Sequence, residues 1–189
     1  MALWGAYETD ESKPKFLTAA EKKNTYATDR GWVYKHPNGD EEVIVAIGEL
    51  AGTSGTTRLG EATITSVAFT TTSIGEAAGG DISVEVVYNE KVTVDTTGGT
   101  PTITVTNDQA GGGTDATFTV AYASGTGTNR LIFTATYAAA DGGIAEDDIL
   151  SIADQSIALN SGTMKDTASP TINSEVAFTG AGGTLTVGA

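Results

Sequence analysis

The stretch Asp81-Ile-Ser-Val-Glu-Val-Val-Tyr88 decides the fold of this chain. Its apolar residues recur at every second position from Ile82 to Tyr88, and polar residues stand between them at positions 83 and 85. Because side chains of a strand alternate between the two faces of a sheet, this period predicts a strand with one buried face. The next segment continues the pattern, with Val92 and Val94 predicted to point inward.

Short segments with the same period follow along the rest of the chain and are separated by turn residues. Threonine is frequent in them, and 24 glycines serve the turns between them. Such spacing is typical of an all-β sandwich. The further predicted strands are 61–70, 102–106, 118–122, 131–137, 149–152, 157–159, 172–178 and 185–187, with a loop at 71–80. We therefore predict an all-β, immunoglobulin-like β-sandwich over residues 56–189.

Residues 1–55 have a different character and are predicted to be an extended amino-terminal arm with one short helix and one β-hairpin. Thr18-Ala-Ala-Glu21 has the pattern of a capping box, which would begin a helix of about two turns that ends near Asn24. His36-Pro-Asn-Gly39 stands between two strand-like segments, 31–35 and 42–47, and predicts the hairpin. The small, polar residues 51–57 are predicted to form a linker.

The arm is rich in aromatic residues for its length. One hairpin and one short helix bury too little surface to be stable alone in water, so the aromatics need a surface to pack on. That surface is either the chain's own sandwich or another subunit, and we favour another subunit because exposed aromatics mark contacts. The predicted partner-contact residues are Trp4, Tyr7, Phe16, Trp32 and Tyr34.

The acidic charge of the chain is concentrated in its second part. The formal net charge is −14, and residues 61–189 carry three Lys or Arg against fifteen Asp or Glu. Such a surface repels phosphate backbones and anionic membranes, so neither nucleic acid nor a membrane is an expected partner. No apolar run approaches the roughly 20 residues of a membrane-spanning helix. The first residues lack the pattern of a secretory signal, so we expect the protein to be made in the cytoplasm and kept there until assembly or lysis.

Residue types that carry catalysis are scarce, and we predict that the protein is not an enzyme and needs no cofactor. There is no cysteine, and the single histidine, His36, lies in the predicted hairpin turn, where we expect it to be exposed. Glycine-rich pieces such as Gly111-Gly-Gly113 lack the helix and lysine of a phosphate cradle. A calcium site in the acidic loop formed by Asp141 and residues 146–148 is a minor alternative, because its spacing matches no EF-hand loop.

Residues 81–170 resemble the bacterial immunoglobulin-like modules found in large surface adhesins and in phage structural proteins. The resemblance is carried by residues 81–94, by Gly99-Thr-Pro-Thr-Ile-Thr-Val105, by the hairpin 118–134 and by residues 157–168. It covers about half of the chain and implies the sandwich fold, but a shared fold does not imply a shared function.

The first fifty residues resemble the amino-terminal segment of virion structural proteins of tailed phages that infect marine cyanobacteria. The residues that carry this resemblance are Trp4-Gly5, 11–18, Asn24, Ala27-Thr28, Gly31-Trp-Val33 and 43–47. The resemblance implies a virion component of the head-decoration type. Its partners would be the major capsid protein or other virion subunits, and its location the capsid surface. Self-association about a symmetry axis, for example as a trimer, is a further expectation.

A second function class stays open from the sequence. The sandwich, the acidity and the lack of cysteine also suit a bacterial cell-surface adhesin or a carbohydrate-binding immunoglobulin-like module. The absence of a signal sequence and of tandem repeats disfavours that alternative. Position in the neck, tail or a fibre of the virion is equally compatible with the residues.

Overall fold

The computed structural model describes residues 10–28, 31–46, 61–110, 116–138, 143–167, 173–180 and 182–189. These residues form one short helix and fourteen strands, which confirms the prediction of an all-β fold. Contacts divide the chain into two compact units, Met1–Ala62 and Thr63–Ala189, called here the amino-terminal unit and the β unit. The predicted linker at 51–57 and the boundary at 55/56 lie outside the described residues.

The amino-terminal unit contains the helix α1 (Ala19–Lys23) and a three-stranded sheet of order β1 (Thr25–Thr28), β2 (Gly31–Lys35) and β3 (Glu41–Ala46). The predicted capping box is present, because the Thr18 side chain accepts a hydrogen bond from the Glu21 amide and the Glu21 side chain accepts one from the Thr18 amide. The helix ends near Asn24 as predicted, with Asn24 as its C-cap residue, and its five residues make it shorter than the predicted two turns. The predicted hairpin is β2–β3, to which β1 adds an unpredicted third strand.

The β unit contains eleven strands among its described residues. They are β4 (Ile64–Phe69), β5 (Ile74–Gly75), β6 (Gly80–Asp95), β7 (Thr102–Asp108), β8 (Ala116–Ser124), β9 (Thr128–Tyr137), β10 (Ile149–Ser151), β11 (Gln155–Ser156), β12 (Thr163–Asp166), β13 (Ala177–Phe178) and β14 (Leu185–Gly188). Nine of them form one sheet in the order β12-β6-β9-β8-β7-β10-β14-β5, with β4 also paired to β6. Strands β11 and β13 pair separately.

Strand β6 organises the sheet because it pairs with three other strands. Its first half lies between β4 and β9, and its last residues pair with β12. Val87 pairs with Arg130 and Val92 with Thr128, so β6 advances five residues where β9 advances two. Residues 88–91 therefore lie opposite the single residue Asn129 and form a large bulge, which redirects the strand from one pairing to the next.

The sheet is curled, and one isolated bridge links β4 to the segment just before β14. Gly182, which precedes β14, forms a parallel bridge with Ala68 of β4, and its amide donates to the Val67 carbonyl at 2.7 Å. The inward faces of the strands form the core, as the alternation in the sequence predicts. Its fully buried large side chains include Ile82, Val84, Val86, Tyr88, Val92, Ile103, Val105, Leu131, Phe133, Leu150 and Met164.

Four details of the β unit differ from the sequence-based predictions. The loop predicted at 71–80 contains the short strand β5, which forms by parallel pairing with β14. The strand predicted at 157–159 lies two residues earlier, at β11, and the strand predicted at 172–178 is limited to β13 among the described residues. Strand β12 was not predicted, because Met164 is its only large apolar residue.

Candidate functional site

Phe16 is the clearest exposed feature of the amino-terminal unit. It lies in a turn closed by the Leu17 amide and the Pro14 carbonyl at 3.2 Å, directly before the capping box of α1. Its side chain is 69% exposed, and among the described residues only Ile149 is another exposed large apolar side chain. An exposed phenyl ring of this kind can bury more than 100 Å² of apolar surface against a partner.

Trp32 lies in the middle of β2, where it pairs with Ala27 of β1 and Val45 of β3. It is 6% exposed, and Val33 and Val43 are buried too. These are the large apolar side chains that residues 10–28 and 31–45 bury, so the apolar core described for this unit is small. A contact of Trp32 with another subunit stays a prediction, and it would require this buried ring to become accessible.

Tyr34 lies two residues after Trp32 and therefore on the same face of β2. Its ring packs edge-on against the His36 ring, with centroids 4.8 Å apart. His36 Nε2 lies 3.0 Å from the Glu42 Oε2 atom, and the Glu42 side chain is almost completely buried. His36 is thus half-buried in the hairpin turn, where the sequence predicted an exposed residue, and Trp4 and Tyr7 lie outside the described residues.

In the acidic loop before β10, the Asp148 carboxylate accepts hydrogen bonds that fix the loop. Asp148 is buried and accepts hydrogen bonds from the Asn107 side chain at 2.8 Å, from the Ala145 amide at 2.9 Å and from the Ala110 amide at 3.0 Å. Burial raises the pKa of Asp148, but these hydrogen bonds outweigh it and hold the pKa below its ordinary value. The described part of the chain contains no group of three or more acidic or histidine side chains placed to hold a metal ion, and Asp141 lies outside it.

Two clefts open on the surface of the β unit. One, of about 400 Å³, lies between β4 and residues 175–182, and the Glu175 carboxylate on its wall accepts from the Ile64 amide at 2.8 Å. The other, of about 490 Å³, lies where the pairing of β8 with β9 stops after Ala121 and Thr134, and Phe118 and Tyr137 line it. Both could take an apolar side chain, since their walls are partly apolar.

Two further buried acids of the β unit, Glu90 and Asp166, were not considered as site residues from the sequence. Glu90 and Asp166 are 6% and 3% exposed. A signal for Glu90 does exist in the sequence, because it stands at an inward position of the alternation that continues through Val92 and Val94. Asp166 had no such signal, since the strand that carries it was not predicted.

The chain matches no protein-family model, no curated protein and no solved structure. No helix among the described residues is long and apolar enough to cross a membrane. The functional interpretation therefore rests on the residues and their geometry, together with the resemblances stated from the sequence.

Proposed function

We propose that this chain is a non-enzymatic structural protein of a phage virion, of the capsid decoration or cement type, located on the capsid surface. Residues 1–55 dock on the shell in this proposal, and the acidic β unit faces outward. The observation that carries it lies in the amino-terminal unit: its described residues bury three large apolar side chains and present Phe16 at 69% exposure. The apolar surface that the described residues of this sheet bury is too small to stabilise it alone, so further burial is needed.

Polar contacts, rather than a large core, order the start of this unit. The Lys13 ammonium donates to the Lys22 carbonyl at the end of α1 at 2.6 Å, and the capping box fixes the other end of the helix. The turn that carries Phe16 lies between these two contacts in sequence. Phe16 is therefore held in place before any partner binds, and such preorganisation lowers the entropy cost of docking.

The partner in this proposal is the major capsid protein or another virion subunit, and copies of the chain also associate with one another, for example as trimers. Added apolar burial across the joints between shell subunits would oppose internal pressure. The acidic β unit would keep virions apart in solution through repulsion between like charges.

We propose further that the β unit is an immunoglobulin-like sandwich. Two facing sheets are compatible with the antiparallel pairing of β7, β8 and β9. They are also compatible with β6, which pairs with different strands along its length. An experimental structure that shows two packed sheets would support this proposal, and one continuous barrel would contradict it.

Cosedimentation of the full chain with shells that lack it tests the docking proposal. We expect the wild-type chain to pellet with the shells and Phe16→Ala to bind about 10- to 30-fold more weakly, as for a truncated interface aromatic. Lys15→Ala changes the neighbouring exposed residue and is the matched control, with binding close to wild type. Absence of shell binding, together with binding to glycans, would instead favour an adhesin or carbohydrate-binding module.

Limited proteolysis of the full chain, free and on the shell, locates the docking surface. We expect cleavage within residues 1–55 of the free protein and protection of the same bonds on the shell. Equal resistance in both states would mean that this segment packs on its own chain and would contradict docking through it.

A further inference from the structure

The pairing between β8 and β9 stops partway along both strands. Ala121 pairs with Thr134, but β8 extends back to Ala116 and β9 extends to Tyr137 without a register between them. Each strand keeps its other neighbour over these residues, because β8 pairs with β7 and β9 pairs with β6. The two strands therefore diverge, and the cleft of about 490 Å³ lies between them.

The backbone of β8 directs amide and carbonyl groups into this cleft. Thr119 pairs with Thr104, whose amide and carbonyl both bond to the Gln155 side chain on the far side of β7. Opposite residues of an antiparallel pair either bond to each other or both face away, so the Thr119 amide and carbonyl face β9. Thr117, two residues earlier, faces the same way. Among the described residues, no strand pairs with this edge of β8 at positions 116–120.

The edge of β9 on the opposite side of the cleft has the same property. Thr136 pairs with Asp81, whose carbonyl accepts a hydrogen bond of 2.9 Å from the Thr71 hydroxyl on the β4 side. The Thr136 amide and carbonyl therefore face β8. The cleft thus lies between two strand edges whose backbone groups point towards each other across it.

Apolar side chains line the cleft between these edges. Ile82, Tyr137 and Ile144 are almost completely buried, and Phe118 is half-buried. The Tyr137 hydroxyl donates to the Ile144 carbonyl at 2.9 Å, which holds this lining in place without an occupant. An added strand would offer backbone groups to the edges and an apolar side chain to the lining. The geometry therefore favours an extended polypeptide as the occupant.

We propose that the occupant is the segment 2–7 of a second copy of this chain, which pairs with β8 at Thr117 and Thr119 as an added strand. This inference deepens the proposed association between copies and rests on that part of the proposed function, but it does not require a shell. The segment lies outside the described residues, and its composition is what selects it.

Charge disfavours an acidic occupant. The exposed Asp81 carboxylate lies beside the cleft, where it accepts a hydrogen bond of 2.7 Å from the Thr136 hydroxyl. Residues 61–189 carry fifteen Asp or Glu against three Lys or Arg, so the surroundings are negative as well. An uncharged segment enters such a site without repulsion between like charges.

Among the uncharged parts of this chain, the first is the one that the described fold leaves available. Five runs of six or more residues lack Asp, Glu, Lys and Arg and contain an aromatic residue: 1–7, 62–75, 116–129, 131–140 and 176–189. The last four each contribute a strand to the β unit. In the first, the alternation of a strand places Trp4 on one face between Ala2 and Ala6. We expect the Trp4 ring to fill the apolar cleft, with the small alanines allowing close approach.

Binding of a fluorescein-labelled peptide of residues 1–9 to the full chain, followed by fluorescence anisotropy, tests the cleft. The chain used is Trp4→Ala, whose own segment should bind weakly and leave the cleft open. We expect saturable binding of one peptide per chain. A peptide that itself carries Trp4→Ala should bind at least about tenfold more weakly. Absence of saturable binding by the unmodified peptide would overturn the proposal.

Two further substitutions in this chain locate the added strand. Thr119→Pro removes an amide that faces the cleft and does not bond to β7, so peptide binding should weaken about three- to tenfold. Thr119→Val keeps the amide and the shape of the side chain and should bind as before. Equal peptide binding by the two variants would overturn pairing with β8.

Modified peptides make the same comparison without altering β8. N-methylation at Trp4 and, separately, at Gly5 removes one amide donor from each of the two alternating sets. One of the two peptides should bind about three- to tenfold more weakly, because one set faces β8 in an added strand. Unchanged binding of both peptides would contradict backbone pairing.

Sedimentation velocity of the full chain without shells tests whether a second copy is the occupant. Wild type and Phe16→Ala should associate as the concentration rises, and Trp4→Ala should need at least about tenfold higher concentration. A wild-type chain that stays monomeric although the peptide binds would mean that the segment fills the cleft of its own chain, which would overturn the second copy. That failure would leave docking through Phe16 intact, because cosedimentation with shells measures it separately.

Discussion

The Tyr88 hydroxyl donates a hydrogen bond of 2.8 Å to the backbone carbonyl of Glu175. Tyr88 is fully buried in the bulge of β6, and Glu175 precedes β13, so the contact ties the central strand to a segment 87 residues later in the chain. Burial, followed by the Glu175 charge, raises the pKa of Tyr88, which keeps the phenol neutral and able to donate.

Removal of this hydroxyl is expected to destabilise the β unit. Tyr88→Phe should lower the free energy of unfolding by about 1–2 kcal/mol, because a partly buried carbonyl loses its donor. Urea unfolding measures the change. Tyr122→Phe is the matched control: its hydroxyl accepts from the exposed Thr126 amide, which can bond to water instead, so the loss should stay below about 0.5 kcal/mol. Equal losses in the two variants would contradict the structural role of Tyr88.

The turn between β8 and β9 offers a comparison of two glycines. Gly125 and Gly127 both have positive φ, of 108° and 79°. A Cβ atom at Gly125 would lie 2.0 Å from the Arg130 carbonyl oxygen, whereas one at Gly127 would meet nothing within 4 Å.

Alanine should therefore have very different effects at these two positions. Gly127→Ala should cost about 1 kcal/mol through backbone strain alone. Gly125→Ala must also displace a strand backbone and should cost more than about 3 kcal/mol or prevent folding. Circular dichroism during thermal unfolding distinguishes the two, and similar unfolding temperatures would show that the turn adapts more easily than its geometry indicates.

Asp148 should stabilise the protein in a pH-dependent manner. Asp148→Asn replaces one accepting oxygen by a donor that faces other donors, at a cost of about 1–3 kcal/mol near pH 7. The pKa of Asp148 is lowered in the folded state, so its contribution is present above the unfolded pKa and is lost as the pH falls through the folded value. The difference between wild type and Asp148→Asn should therefore shrink on acidification below pH 3.8.

Asp147→Asn is the control for this prediction, since it makes the same change of charge at the exposed neighbouring residue. Its φ of 67° is one that asparagine also tolerates. Chemical denaturation at a series of pH values should show little difference from wild type. A loss equal to that of Asp148→Asn would indicate a general charge effect rather than the three hydrogen bonds.

Glu90 should change the pH dependence of stability in the direction opposite to Asp148. Its pKa is raised to about 7 in the folded state from an ordinary value of 4.5, so the folded protein binds the proton more tightly than the unfolded chain. Stability should therefore fall between pH 4.5 and about 7, by on the order of 2 kcal/mol, relative to Glu90→Gln. Urea titrations of both proteins across this range measure the difference. A constant difference would mean that Glu90 does not titrate there.

Local sequence patterns predicted the elements that are stabilised by contacts between residues close in sequence. Thr18 and Glu21 cap a helix through contacts within one turn, and the Asn-Gly turn after His36 joins two strands as expected. Strand β1 was missed because Thr25–Thr28 has no aliphatic run and is a strand through its pairing with β2. Strand β12 was missed for the same reason, since pairing with β6 defines it.

The candidate contact residues also show that burial cannot be predicted from the local sequence alone. Phe16 is exposed, as a docking residue requires, but Trp32 on β2 is buried. Trp32 and its neighbour Val33 lie on opposite faces of β2 and are both buried, which no local pattern in the sequence predicts. The inward position of Glu90 was visible in the alternation, yet its acidic neighbour became evident only when the pairing of β12 placed Asp166 beside it.

The bridge between Ala68 and Gly182 also has a consequence during synthesis of the chain. Strand β4 leaves the ribosome more than a hundred residues before Gly182 does, and β5 waits for β14 over a similar interval. Until then both present strand edges that other chains can pair with. Sheets that depend on such distant pairings fold slowly. In a cell that produces this protein in quantity, nascent chains are therefore prone to aggregate until β14 has left the ribosome.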